Sequence, residues 1–277
     1  MQTVLQKATA GNRKAMLKLY DFTKQRVFYV AKLLLQDDAM AESATIWVYR
    51  FGWGEIKALE LSTEAEFEKL MLQRVVRYCK KRTIKNNPKA FHVPANRNFN
   101  SNVTYPIIDN GDTVEESVLQ QFSDLQRYIY VLHTIAKYED SEIENVVNLK
   151  GQILELAIAA EDKNIDAILQ VMGLSSLTGH KEIRLKIIDT ANSIQVPERV
   201  DAEVHKVIHI IVEPIEKRQK KQRTLVISML VLVCAFCIGV GMFFSKDKEN
   251  TDVIGTENTQ GITETEETDD VAEIVTE

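Results

Sequence analysis

Leu225 to Phe244 reads LVISMLVLVCAFCIGVGMFF, twenty residues without a charge and with Ser228 as the one plainly polar side chain. At about 1.5 Å of rise per residue, a helix of this length covers roughly 30 Å, the thickness of bilayer hydrocarbon. The run predicts a membrane-spanning helix at residues 224–244 and divides the rest of the chain into a long upstream part and a short downstream one. It lies far from the first residue, and the opening MQTVLQKATAGNRK has no apolar targeting core, so a cleaved signal is not expected. Cys234 and Cys237 sit close together inside the run. In hydrocarbon, with no further ligands nearby, they read as small hydrophobes and not as a redox or metal pair.

Charge on the two sides of the run is unequal. Lys217, Arg218, Lys220, Lys221 and Arg223 precede it, whereas Lys246 and Lys248 after it alternate with Asp247 and Glu249. The positive-inside bias places residues 1–223 in the cytoplasm of a single-pass cell-membrane protein. The same five cations make an anionic membrane surface an expected partner, each worth about 1 kcal/mol near the headgroups. The segment 245–277 is rich in Thr, Glu and Asp with few large apolar groups, and it is expected to be a disordered acidic tail outside the cell.

The formal charge of -6 conceals a strong asymmetry upstream. Residues 1–100 hold 18 basic and 9 acidic groups, a net +9, while residues 101–160 hold 3 and 10, a net -7. Opposite signs on neighbouring segments make self-docking of the two a reasonable expectation. With only Cys79 outside the apolar run, a disulfide framework is excluded for the long N-terminal part.

Apolar spacing of three and four dominates residues 1–223, so the fold class is all-α. Met16, Leu19, Val27, Ala31 and Leu34 predict a helix from about Asn12 to Leu35, and a second runs from Asp38 to about Phe51. Thr63-x-x-Glu66 reads as a capping box opening a third, through Phe67, Leu70, Met71, Val75, Tyr78 and Cys79. Residues 87–112, rich in Asn and carrying three prolines, read as a linker after a helical domain at 1–86. Thr113-x-x-Glu116 predicts a helix continuing through Val118, Phe122, Leu125, Ile129 and Leu132. Ser141-x-x-Glu144 opens a short helix, and Ile153 to Ile158 form another, a spacing shared by helix-turn-helix units and by ordinary helical packing. Ile165 to Met172, Glu182 to Ala191 and Glu198 to Arg218 complete a helical juxtamembrane region at 161–223, with a bend expected near Pro214.

Six basic residues crowd the end of the third helix: Arg74, Arg77, Lys80, Lys81, Arg82 and Lys85, with Tyr78 among them. Such a face suits phosphate contact, although cations at a helix C-terminus also complement its dipole. Trp47, Phe51 and Trp53 read first as core aromatics, with base stacking as the alternative. No nucleotide-binding Gly-rich loop, elbow serine or Cys/His cluster is present, so neither catalysis nor a cofactor is expected. His205, His209 and Glu213 follow at i, i+4 and i+8 without an H-E-x-x-H pattern and are read as packed or solvated.

The stretches AGNRKAMLKLYDFTKQRVFYVAKLLL, DDAMAESATIWVYRFGW and FEKLMLQRVVRYCKKR resemble region 2 of bacterial RNA polymerase sigma factors of the sigma-70 superfamily, in the extracytoplasmic-function style. Gly11, Ala15, Leu19, Tyr20, Val27, Ala41, Glu42, Val48 and Trp53 match that pattern, Tyr49 replaces the usual Phe, and Ser43, Ile46 and Tyr78 depart from it. The resemblance implies a polymerase-binding helix carrying Glu42 and Tyr49. It also implies promoter DNA contacts through Arg74, Arg77, Tyr78, Lys81, Arg82 and Lys85. Residues 113–160 faintly resemble region 4 through Gln126-Arg127 and Glu142-Ile143. Yet the segment in the place of its recognition helix, Gly151 to Ala160, has no Lys or Arg and contains Glu155, so it is not expected to read DNA. The resemblance thus implies a membrane-anchored initiation factor with RNA polymerase core and promoter DNA as partners, and with a regulatory protein or protease as a further expected one. The alternative is a membrane-tethered helical adaptor derived from a sigma factor and lacking promoter recognition.

Overall fold

The computed structural model describes residues 3–56, 61–94, 99, 113–175 and 178–249, with side chains as far as Ile238. Every regular element among these residues is a helix: α1 Val4–Thr9, α2 Arg13–Leu35, α3 Asp38–Gly52, α4 Glu64–Asn86, α5 Val114–Gln120, α6 Asp124–Thr134, α7 Asp140–Val147, α8 Gln152–Ala159, α9 Glu161–Val171, α10 His180–Ser193 and α11 Glu198–Glu249. Residues Met1–Arg218 form one compact unit and Gln219–Glu277 a second.

Local signals set the helix starts. The Asn12 side chain accepts the Ala15 N–H at 3.0 Å and opens α2. Thr63 and Glu66 form the expected reciprocal box at α4, which offsets two of the N–H groups left unpaired at a helix start. A similar box between Thr3 and Gln6 opens α1, a helix that apolar spacing alone does not announce. Ser123 and Gln126 make another, and they split the single helix expected after Thr113 into α5 and α6. At α7 the box is Glu139 with Glu142, two residues ahead of the expected Ser141 and Glu144. Glu144 instead accepts the Gly151 N–H at 2.7 Å across the turn into α8. Asn148 closes α7 in the left-handed conformation (φ 58°) that Asn tolerates better than most residues.

Central to the first unit is α2, packed against α1, α3, α4, α6 and α10. Tyr20, Val27, Tyr29, Val30 and Ala31 are fully buried along it, and Thr23 Oγ1 joins the Tyr49 hydroxyl at 2.6 Å inside the core. Cys79 is also fully buried, and burial pushes its thiol pKa well up.

The first turns of α11 belong to this core as well. Val200, Val204, Val207, Ile208 and Val212 are buried, each worth at most about 1.5–3 kcal/mol of apolar transfer. Asp201 accepts from the Tyr20 hydroxyl at 2.6 Å and from Lys24 at 3.2 Å. The turn before α2 leaves room for Ile215 because Gly11 has φ +83° and no side chain; a Cβ there would lie 2.7 Å from Ile215. Pro214 lies within the helix.

In the second unit, the side chains from Leu225 to Ile238 are exposed, and α11 is the one helix among the described residues long and apolar enough to cross a membrane. The expected tail falls almost wholly at residues 250–277, and most of the expected linker at 95–98 and 100–112. Both lie outside the described residues. Of the linker's described residues, Ala90 and Phe99 are buried, and the Phe99 carbonyl accepts from Asn164 Nδ2 at 2.8 Å and from Gln126.

Candidate nucleic-acid interface

The C-terminal half of α4 turns one stripe inward and leaves the rest outside. Val75, Val76, Cys79 and Thr83 are buried, with Thr83 Oγ1 2.9 Å from the buried Tyr128 hydroxyl. The 3.6-residue period then forces Arg77, Lys81, Arg82 and Lys85 into solvent, where all four are exposed. Among the described residues no carboxylate lies within ion-pair distance of any of the four. The cations earlier in α4 and on α2 behave differently: Arg74 pairs with Glu55, Arg26 with Glu68 at 3.0 Å and Lys69 with Glu142 at 2.8 Å. Arg74 is thereby neutralised in place, and burial together with the repulsion of Arg77 holds its guanidinium pKa below the usual value.

Beside this stripe lies a set of partly exposed rings. Trp47 and Tyr78 are half-buried with centroids 5.1 Å apart, and Trp47 also meets Phe51 at 5.0 Å, the Phe51 side chain being 54% exposed. Arg82 sits 5.2 Å from the Tyr78 centroid and donates to its hydroxyl at 3.0 Å, which fixes the guanidinium at the ring's edge. The result is an apolar, aromatic shelf bordered by unpaired cations. Unstacked bases can lie on such rings while the adjacent Lys and Arg side chains neutralise phosphates.

The structure separates the expected aromatics. Trp53 is buried and stacks on Phe67 at 5.3 Å, as a core residue should, whereas Trp47 and Phe51 reach the surface. Tyr49, expected as a polymerase contact, has none of its surface exposed. It faces inward, held by Thr23 and packed edge-on to Tyr20 at 4.8 Å, so it cannot touch a partner directly. Desolvation there raises its phenol pKa. Glu42 stays near the surface but lies 3.4 Å from Arg199 of α11. Ile46, in place of a polar residue of the resembled family, packs against the core.

The acidic segment does reach the basic one, through Lys32–Glu116 at 3.0 Å and Lys69–Glu142 at 2.8 Å, but these contacts leave the outer face of α4 open. In α8, where a reading helix would stand, Glu155 and Leu156 are exposed and no cation is present. His205 packs on the Tyr20 ring at 5.9 Å, and no metal-ligating cluster occurs among the described residues. Two residues of the surface, Arg50 on α3 and Lys80 on α4, stand outside the expected contact set; Arg50 is exposed and Lys80 rests 5.5 Å from the Phe91 centroid.

No family model matches this chain, and neither a curated protein nor a solved structure matches it.

Proposed function

We propose that the chain is a membrane-anchored, sigma-like transcription initiation factor that engages RNA polymerase core and promoter DNA through its N-terminal helices. The open shelf of Trp47, Phe51 and Tyr78 beside Arg77, Lys81, Arg82 and Lys85 carries this reading. Rings that could have been buried are left half in water, next to cations without acid partners. Single-stranded nucleic acid complements both features at once, by stacking and by charge. The resemblance of α2, α3 and α4 to sigma region 2 supplies the identity of the strand and of the polymerase.

In this reading the run from Lys217 to Arg223, exposed along α11, holds the cytoplasmic face of the membrane and orients residues 1–223 toward the cytosol. Because Val200 to Val212 complete the core, a regulatory protease that releases an intact head must cut after them, in the exposed stretch from Glu216 onward. The acidic tail faces the other side.

A second reading, a sigma-derived adaptor without promoter recognition, draws on the burial of Tyr49 and on the Glu42–Arg199 pair, since both reduce the surface offered to polymerase. Co-purification of the full chain, in neutral detergent, with core polymerase, followed by promoter-dependent transcription, decides between them. The initiation factor gives both. Membrane association with neither selects the adaptor.

A further inference from the structure

On the flank of α4 away from the aromatic shelf, a cavity of about 430 Å³ opens between α4 and α7, with Arg77, Lys80, Tyr138, Glu142 and Asn145 on its walls. This volume lies in the range of small-ligand sites, roughly 300–1,000 Å³. Its charge balance is the informative part. Glu142 is already committed: Lys69 stands 2.8 Å away, the Glu139 backbone N–H donates to it at 3.1 Å, and although burial pushes its pKa up, these contacts hold it below the usual carboxylate value.

The two cations on the wall have no such partner. Among the described residues neither Arg77 nor Lys80 forms an ion pair, and burial alone lowers the Lys80 ammonium pKa, the mark of a charge that has lost water without gaining an acid. Asn145 adds an amide donor. Tyr138 is 6% exposed, and its hydroxyl has no hydrogen-bond partner although it is fully enclosed. An orphaned buried hydroxyl is costly, so a change of side-chain rotamer that brings it to an incoming acceptor is favoured.

From this arrangement we infer that the cavity between α4 and α7 is a site for one phosphate group, held by Arg77 and Lys80 with Asn145 and Tyr138 as neutral donors. A phosphate provides several acceptor oxygens and a negative charge in one compact group, which matches two cations flanked by donors and walled by Val76 and Val146. Arg77 and Tyr78 are consecutive on α4, about 100° apart around the helix axis, so the shelf and the cavity flank the same turn. A strand stacked on Trp47 and Tyr78 can therefore place a neighbouring phosphodiester against Arg77, and α7 of the acidic segment then takes part in holding it. This source of the phosphate rests on the function proposed above; a free nucleotide is the other source of the same chemistry.

The full chain in neutral detergent is titrated with a fluorescent single-stranded oligonucleotide and, separately, with a nucleoside monophosphate. Lys80→Gln and Asn145→Asp alter side chains that are not core, and each is expected to weaken oligonucleotide binding about three- to tenfold. Lys80→Gln also lowers the salt slope by about 0.7, the share of one phosphate on a single strand. If the oligonucleotide binds and Trp47→Ala weakens it while both cavity variants bind like the parent, the phosphate site is overturned and the shelf stands. If the monophosphate alone binds, and Lys80→Gln abolishes it, the site stands with a free nucleotide as its ligand and the nucleic-acid reading falls. Binding of neither probe overturns both.

Discussion

Helices α4 and α8, each the one that the proposed sigma-like reading would set against nucleic acid, expose opposite chemistry. The outer face of α4 carries four unpaired cations beside three rings, whereas α8 shows Glu155 and Leu156 with no cation. The contrast extends to their surroundings. Acids near α4 are consumed by Arg74, Arg26 and Lys69, so its C-terminal cations remain free. Each surface follows the sign of its segment's net charge, and pairing decides which of the individual charges stay free.

The largest effect should come from neutralising Arg77, Lys81 and Arg82 together. Single-strand affinity is expected to fall at least about 30-fold, and the salt slope by about 2, since each phosphate contact contributes roughly 0.7. Unchanged binding, measured by anisotropy over a salt series, would remove α4 from the interface. Next, Trp47→Ala should cost about 1–3 kcal/mol of binding, the worth of one stacked base, with the salt slope preserved. That split between affinity and slope distinguishes a stacking ring from a phosphate contact. At the small end, Glu155→Lys in α8 should change oligonucleotide affinity by less than about twofold, an exposed charge away from the strand being screened. A gain of tenfold would show that α8 does approach nucleic acid and would erase the contrast.

The acidic segment should also carry a pH response of its own. His133 on α6 lies 3.3 Å from the buried Glu161 of α9, and that contact raises its pKa from 6.5; desolvation raises Glu161 too, despite His133 and Arg184 nearby. His133 binds its proton more tightly folded than unfolded, so its contribution is present below the unfolded histidine value and fades as pH rises through the folded one; the contribution of Glu161 is present below the unfolded carboxylate value and fades through its own raised one. Melting temperature is expected to fall as pH rises above about 6.5, the unfolded histidine value. His133→Gln should flatten the profile. A profile unaltered by this substitution would sever the link.

Much of this architecture is legible from spacing and capping chemistry. Asn12, Thr63 and the Asp38 start are where the residues place them, and the apolar run coincides with the later turns of α11. The break between α5 and α6 is hidden because Val118, Phe122 and Leu125 continue the three-and-four rhythm straight across it; the Ser123–Gln126 box is the readable signal. Motif position misleads at Tyr49. Thr45, Val48, Tyr49 and Gly52 form one buried stripe of α3, and the period that turns them inward brings Trp47 and Phe51 out at i, i+4 on another face. The cavity between α4 and α7 has no signature in the sequence, since it depends on how Tyr138 and Asn145 approach α4 from far along the chain.

The enclosed thiol of Cys79 has a practical corollary for orientation. A side chain with no accessible surface and an upshifted pKa is a poor target for alkylation, and Cys234 and Cys237 lie within the apolar run, out of reach of water-soluble reagents once in lipid. In the proposed membrane-anchored state the native protein is therefore chemically silent toward membrane-impermeant maleimides, and a cysteine introduced at the exposed Ser43 becomes a single reporter of which compartment the helical body occupies.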